Sequence, residues 1–136
     1  MSFADERSAI EGRFAANYSS SQIKYENVPF DQPSSDPWIS LEIISGEGGQ
    51  ASLGGASAVQ RYGGVIQVTI YTAESVGTNV ARALADVIEP IFRQQQFSQG
   101  NSGVIHTRTP SFYSIGLVGG WYRSVVSVSY FRDRRF

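Results

Sequence analysis

Three stretches of the chain alternate apolar and polar residues with a period of two, and this pattern limits the fold more than any other feature. The stretches cover residues 38–44, 65–72 and 122–131. In the second of them, Ile66, Val68 and Ile70 alternate with polar neighbours, as on a strand that has one face on a core. The pattern predicts a β-sheet whose other face is left for water or a partner.

Length and composition favour one domain spanning residues 1–136, because single domains commonly have about 100–150 residues. The chain has no cysteine, which excludes disulfides and thiolate metal sites. No apolar run approaches the roughly 18 residues of a membrane span, and the acidic N-terminus is unlike a secretory signal. We therefore expect a soluble protein with no membrane role that is made and used without export.

The net charge of −1 conceals an uneven distribution of charges. Residues 1–60 hold eight acids against three basic residues, whereas residues 61–136 hold four acids against eight arginines. If the two halves expose different faces, an acidic surface on one copy could meet a basic surface on the next. If the halves interleave in the fold, the asymmetry averages out.

Two helices are predicted on either side of the first strands. The first begins at Ser2 and ends near Asn17, with apolar residues at helical spacing. The second opens at residues 77–79, and Pro90 should kink or shorten it. Its predicted buried side comprises Val80, Leu84, Val87, Ile88, Ile91 and Phe92.

The remaining segments complete the outline of the fold. Residues 46–59 contain five glycines and are typical of a long mobile hairpin loop. Residues 23–25 and 103–108 are short strand candidates, residues 111–120 a glycine-broken connection, and Gly119-Gly120 a turn before the last strand. The fold class is therefore α+β: a mainly antiparallel β-sheet packed against two α-helices, with a long Gly-rich hairpin loop.

The residues that chemistry requires are scarce. His106 is the only histidine, and no Gly-x-Ser-x-Gly elbow accompanies it. No ligand set for a metal is recognisable, and the glycine-rich segment lacks the lysine of a phosphate loop, so neither a cofactor nor catalysis is predicted. Residues 130–136 mix aromatics with arginine, which suits nucleic acid, but the pI of about 5.8 favours a solvated strand end or a contact with an acidic protein.

The order of these segments resembles a family of small phage tail-completion proteins, the tail terminators of long, non-contractile tails. The likeness lies in Tyr25-Glu26-Asn27-Val28-Pro29-Phe30, in residues 36–41, in the strand of residues 61–71, in the helix of residues 77–92, and in Thr109-Pro110-Ser111 followed by residues 121–130. Related particles that transfer host genes use the same part.

The resemblance implies a structural virion protein of the tail or neck, assembled in the cytoplasm of a bacterial host. It implies a homo-hexameric ring that caps the head-proximal end of the tail tube and ends tube polymerisation. The implied partners are other copies of the chain, the major tail tube protein and a head-completion or connector (stopper) protein, while DNA passes through the ring without specific binding. The alternatives are another neck or head-closure ring protein, and a small hydrolase built on His106.

A closed ring needs a head-to-tail interface between unlike patches of one subunit. We expect the acidic first half and the arginine-rich second half to supply them, and unpaired backbone groups at a sheet edge could also continue hydrogen bonding into a neighbour. The predicted partner or oligomer interface residues are Glu47, Gln50, Ser52, Leu53, Arg61, Arg123, Arg132, Arg134 and Arg135. We also expect the glycine-rich loop to order only on docking, so that deleting residues 47–56 would spare the fold and abolish tube binding.

Overall fold

The computed structural model describes residues 2–33, 36–50, 55, 59–73 and 77–135. These residues form two helices and seven strands. The elements are α1 (Ser2–Asn17), β1 (Gln22–Tyr25), β2 (Trp38–Gln50), β3 (Val59–Ala73), α2 (Asn79–Phe92), β4 (Gln96–Phe97), β5 (Val104–Thr107), β6 (Ser111–Val118) and β7 (Trp121–Arg135).

The strands of the described residues belong to one sheet with the order β1-β2-β3-β7-β5-β4. Strand β6 also pairs with β7, so β5 and β6 lie one after the other along the same edge of β7. The pair β1–β2 is parallel and the other pairs are antiparallel. The predicted α+β class with a mainly antiparallel sheet is confirmed.

Both helices pack on one face of the sheet, which we call the core face. Phe14 of α1 stacks on Phe92 of α2, with 5.8 Å between the ring centroids. Beneath them, the alternating residues Ile66, Val68 and Ile70 of β3 are fully buried. Because side chains alternate along a strand, these residues lie on the core face. The residues between them lie on the opposite face of the sheet, which we call the outer face.

The buried side of α2 differs from the predicted one at two positions. Val80 and Val87 are 37% and 43% exposed, while Ala81 and Ala85 are buried. The helix contacts β3 and β7, and alanine at these positions lets its backbone lie close to the sheet, where a valine would be too large. The helix includes Pro90 and ends soon after it, at Phe92.

The predicted hairpin loop of residues 46–59 is wrong at residues 46–50 and at Val59, and residues 51–54 and 56–58 of it lie outside the described residues. Strand β2 continues to Gln50 and β3 already begins at Val59, and Gly48 and Gly49 pair with Tyr62 and Arg61 across a bulge. Ladder hydrogen bonds to β3 hold this stretch in the sheet despite its glycine content. Deleting residues 47–56 would therefore remove part of β2.

The predicted glycine-broken connection of residues 111–120 is also wrong, because Ser111–Val118 form β6. The strand pairs with β7 and has one register shift, between Ser114 and Gly116. The predicted turn at Gly119-Gly120 is confirmed, since it joins β6 to β7 with φ angles of 58° and 83°. Both angles lie in the left-handed region that favours glycine in tight hairpin turns.

Candidate interaction surfaces

An aromatic cluster covers the outer face at the beginning of β2. Trp38 stacks on Tyr71 of β3, with 3.8 Å between the ring centroids, and packs against Phe30 at 5.1 Å. Trp121 of β7 meets Trp38 edge-on at 6.0 Å. Trp38 is only 5% exposed, so this end of the outer face is already covered by the chain itself.

The other end of the outer face carries a wide, open cavity of about 680 Å³, which we call the glycine groove. It is formed by the second half of β2, the facing part of β3, residues 129–131 of β7, and Arg108. Much of its lining is glycine, so backbone rather than side chains forms most of its floor.

Two of the glycines near this groove are required by close approach rather than by flexibility. A Cβ atom on Gly64 would lie 2.6 Å from the carbonyl oxygen of Ile44 and 2.7 Å from the hydroxyl oxygen of Tyr130. A Cβ atom on Gly48 would lie 2.8 Å from the ring of Tyr62. The sequence therefore keeps these positions small so that β2, β3 and β7 can pack.

Phe131 is the centre of a cationic and aromatic group in the glycine groove. His106 stacks on its ring with 4.8 Å between centroids. The guanidinium carbons of Arg61 and Arg108 lie 4.6 Å and 5.4 Å from the same ring centroid. Arginine over an aromatic face is a favourable arrangement, and it presents cations to whatever enters the groove.

The charge of Arg61 is already paired within the subunit. Its Nε donates to Oδ1 of Asp133 at 2.7 Å and its second guanidinium nitrogen donates to Oδ2 at 2.9 Å. These hydrogen bonds are the main reason that the pKa of Asp133 lies below its usual value. The bidentate pair leaves Arg108 as the more available cation of the two.

A buried polar cluster lies on the core face beneath the groove. Oε2 of Glu6 accepts a hydrogen bond of 2.8 Å from Nε of Arg132, and Oε1 of Glu6 accepts one from the hydroxyl of Tyr130. Arg132 also donates to the carbonyl of Ser102 at 3.2 Å. Burial, and then the hydrogen bond to Glu6, raise the pKa of Tyr130, so its hydroxyl keeps its proton.

Arg132 was predicted to lie at an interface, and the structure places it inside the subunit instead. Its side chain is fully buried, and its guanidinium also lies over the rings of Phe3 and Tyr62 at 5.1 Å and 4.7 Å. The prediction assumed that residues 130–136 form a solvated end, whereas β7 is paired with β3 and β5 there. Its charge therefore acts within the fold.

The other predicted interface residues lie in several places. Arg123, on β7, is half-buried opposite Tyr71 of β3. Glu47 and Gln50 lie in the last part of β2, and Arg134 and Arg135 at the end of β7, but their side chains lie outside the described part of the structure. Ser52 and Leu53 lie outside the described residues altogether.

Strand β6 is an apolar edge that the sequence interpretation missed. Its eight residues include no charged side chain, and four of its large apolar side chains are about half exposed. These are Tyr113, Ile115, Leu117 and Val118, at 47%, 46%, 58% and 51%. The signal in the sequence was the Gly119-Gly120 turn, since a hairpin turn before a strand implies a partner strand on its other side.

No metal-binding arrangement is seen in the residues that the structure describes. They contain no group of three histidine, cysteine or acidic side chains that could hold a metal ion. Nor do they include a helix that is long and apolar enough to cross a membrane. The His106 ring is stacked on the ring of Phe131.

Comparisons with known proteins identify the family. A family model described as "phage tail terminator protein" matches residues 7–130, whereas no curated protein matches the chain. Among solved structures, one that carries no functional name has a TM-score of 0.76 and 20% sequence identity, with 100% of this chain and 97% of that chain covered. At this identity the structural likeness shows a shared fold alone.

Proposed function

The chain belongs to the phage tail terminator family, and from this premise we propose that it forms a ring that caps the head-proximal end of a phage tail tube. Membership makes the chain a structural tail-completion protein of the virion. The observation that carries the proposal is the family match over residues 7–130, which includes α2 and nearly all of the sheet. The proposal assigns no catalytic chemistry to the chain.

In this proposal the ring is a homo-hexamer, and its closed circle blocks further addition of tube subunits. Two different surfaces of one subunit must meet in such a ring. The fold supports this requirement because the two sides of its sheet differ. A short parallel strand, β1, lies at one edge, whereas the other side ends in the charge-free β6 along one part of β7 and in β5 and β4 along the rest. The same ring would present one rim to the tail tube protein and the other to a head-completion or connector protein.

We further propose that DNA passes through the ring without being held. The charges of two arginines support this view, because Arg132 is buried against Glu6 and Arg61 is paired with Asp133. A lumen that carries few free cations would not retain the phosphate backbone. Assembly is proposed to take place in the cytoplasm of the bacterial host, in a phage or a gene transfer particle with a long, flexible, non-contractile tail.

Electron microscopy of particles that lack the protein tests the proposal. We expect tail tubes of uncontrolled length that carry no heads, and normal tails when the protein is supplied again. Purified protein added to purified tubes should appear as a ring at one end. Tails of normal length in its absence would contradict termination, and a ring found inside the head-closure assembly would favour the alternative neck role.

A further inference from the structure

The outer edge of β6 is open along its whole length. Strand β6 pairs with β7 on one side, and no strand of the described residues pairs with its other side. Edge strands usually carry charges or proline that discourage pairing with another chain. In β6 these charges are absent, and Leu117 is 58% exposed.

A matching open edge lies on the opposite side of the same sheet. Strand β1 covers β2 only from Trp38 to Leu41. Residues 44–50 of β2 pair with β3 on one side, and no described strand pairs with their other side. This open stretch is nearly as long as β6, and Ile44 at its start is 49% exposed.

The strand directions suit a pairing between these two edges. Strand β6 is antiparallel to β7, β7 to β3, and β3 to β2. Strand β6 is therefore antiparallel to β2. If the sheet of one copy continues into the next copy in the same sense, β6 and the neighbouring β2 form an antiparallel ladder.

The charges around the two edges are complementary. Three arginines lie near β6. Arg108 is exposed and precedes the strand, and the guanidinium of Arg82 lies over the ring of Phe112 at 5.2 Å. Arg123 of β7 lies opposite Gly116 of β6. The side with β1 and β2 carries exposed acids, which are Glu26, Asp31, Asp36 and Glu42. Exposed charges of the other sign also occur: Asp86 lies beside β6, Lys24 lies on β1, and Arg7 lies beside Glu26 and residues 43–45.

We propose that the outer edge of β6 in one copy pairs with residues 44–50 of β2 in the next copy, so that the sheet continues around the ring. This inference rests on the proposed ring and adds the strands that close it. Addition of a strand to an exposed edge combines backbone hydrogen bonds with side-chain contacts. Because the edges are unlike, the contact repeats in one direction and closes a ring instead of ending at a dimer.

The absence of cysteine from the chain allows a direct crosslinking test. The variant carries Val118→Cys together with Ile44→Cys, two exposed positions on the same face of the sheet, and is treated with a short bismaleimide under conditions in which the unmodified protein forms rings on tail tubes. We expect a ladder of covalent oligomers on a denaturing gel that ends at the ring. Each single-cysteine variant should remain mostly monomeric.

A control pair keeps Ile44→Cys and replaces Val118→Cys by Val80→Cys. Val80 is also exposed, but it lies in the first turn of α2 rather than at a sheet edge. We expect no ladder from this pair.

The remaining outcomes would each overturn the inference. Covalent dimers from Val118→Cys alone would mean that β6 pairs with β6, and adducts with the tube protein would mean that the tube occupies this edge. Rings that form without any ladder would overturn the strand pairing and leave the proposed function intact. If the unmodified protein never forms a ring on tube ends, the proposed function fails, and this inference fails with it.

Discussion

At the scale of single residues, Glu6 is the carboxylate on which the buried cluster depends. It accepts hydrogen bonds from both Tyr130 and Arg132, and the Arg132 side chain has no exposed surface. A buried ion pair is weak evidence for net stabilisation, but removing one partner leaves a charge without compensation. The ion pair itself adds little net stability. It holds α1 against β7 because breaking it would leave Arg132 buried without its carboxylate partner.

We predict that Glu6→Gln lowers the free energy of unfolding by about 3–5 kcal/mol, because Arg132 then stays buried without a carboxylate. Urea denaturation followed by circular dichroism measures the change. The matched control is Glu11→Gln on the same helix, whose ion pair with Arg7 lies at the surface and should cost about 0–1 kcal/mol. Equal effects of the two substitutions would contradict the role of the cluster.

Tyr130 should make the fold sensitive to alkaline pH. Burial raises its pKa in the folded state, so its contribution is fully present below the unfolded-state pKa of about 10 and is lost as the pH rises above that value. We predict that the free energy of unfolding falls more steeply between about pH 9 and about pH 11 in the natural protein than in Tyr130→Phe. Urea titrations over that range give both slopes. Tyr18 and Tyr25, whose pKa values are also raised, leave a residual slope in the variant.

The glycines of β2 and β3 could be needed for close packing or could be replaced freely, and Gly64 and Gly49 represent these two cases. We predict that Gly64→Ala destabilises the protein by about 1–3 kcal/mol, because the added methyl group would lie 2.6 Å from the carbonyl oxygen of Ile44. Gly49→Ala should be nearly neutral, because a Cβ atom there meets nothing within 4 Å. Thermal melting of both variants provides the comparison. If both substitutions are neutral, close packing does not explain Gly64.

At the scale of elements, the sequence pattern predicted those helices and strands whose formation depends on residues close together in the chain. Helix α1, strand β1 and the alternating parts of β3 and β7 were predictable because periodicity and turn residues are visible within a short window. The strand content of residues 46–50 and 111–118 was not, because glycine-rich composition favours loops while pairing with a neighbouring strand decides the structure. The contact of Gly64 with Tyr130 and the pair between Glu6 and Arg132 join distant positions that no window contains.

The candidate surfaces were predicted only in part for the same reason. Arg61 was placed at an interface by its charge, and it does lie in the glycine groove, but its pairing with Asp133 depends on the register of β3 against β7. Arg108 and the β6 edge were missed because the sequence gives no sign of which strand remains unpaired.

We predict that Leu117→Lys prevents ring formation without changing the melting temperature of the subunit. The side chain is exposed, so the fold tolerates the charge, whereas a lysine on an edge strand disfavours pairing with another chain. Mass photometry with tube ends measures assembly, and a loss of at least about tenfold is expected, equivalent to about 1.4 kcal/mol. Val80→Lys is the control on α2. Normal assembly of the Leu117 variant would show that β6 lies outside the contact.

At the scale of the whole molecule, the uneven charge of the sequence halves is partly used inside the subunit. Glu6 of the first half pairs with Arg132 of the second, as the interleaved interpretation requires. The acids beside β1 and β2 and the arginines beside β6 nevertheless remain on opposite sides of the sheet. The interpretation that the two halves interleave and the interpretation that they expose different faces therefore each describe part of the molecule.

We predict that Arg108→Glu weakens ring assembly, because Arg108 lies on the side of the sheet opposite the exposed acids beside β1 and β2. The Arg108 side chain is exposed, so the melting temperature should be unchanged, and the loss for an exposed charge should be about twofold to fivefold. Assembly followed by light scattering at low salt measures the effect, which should shrink at high salt. Normal assembly of the variant at low salt would exclude a contribution of Arg108 to the contact.

The position of β7 between β3 on one side and β5 and β6 on the other has a consequence for synthesis. The ribosome delivers β7 after every strand that pairs with it, and the contact between Glu6 and Arg132 spans almost the entire chain. Folding that depends on such distant contacts is slow. A nascent subunit thus cannot close its sheet until translation has passed β7.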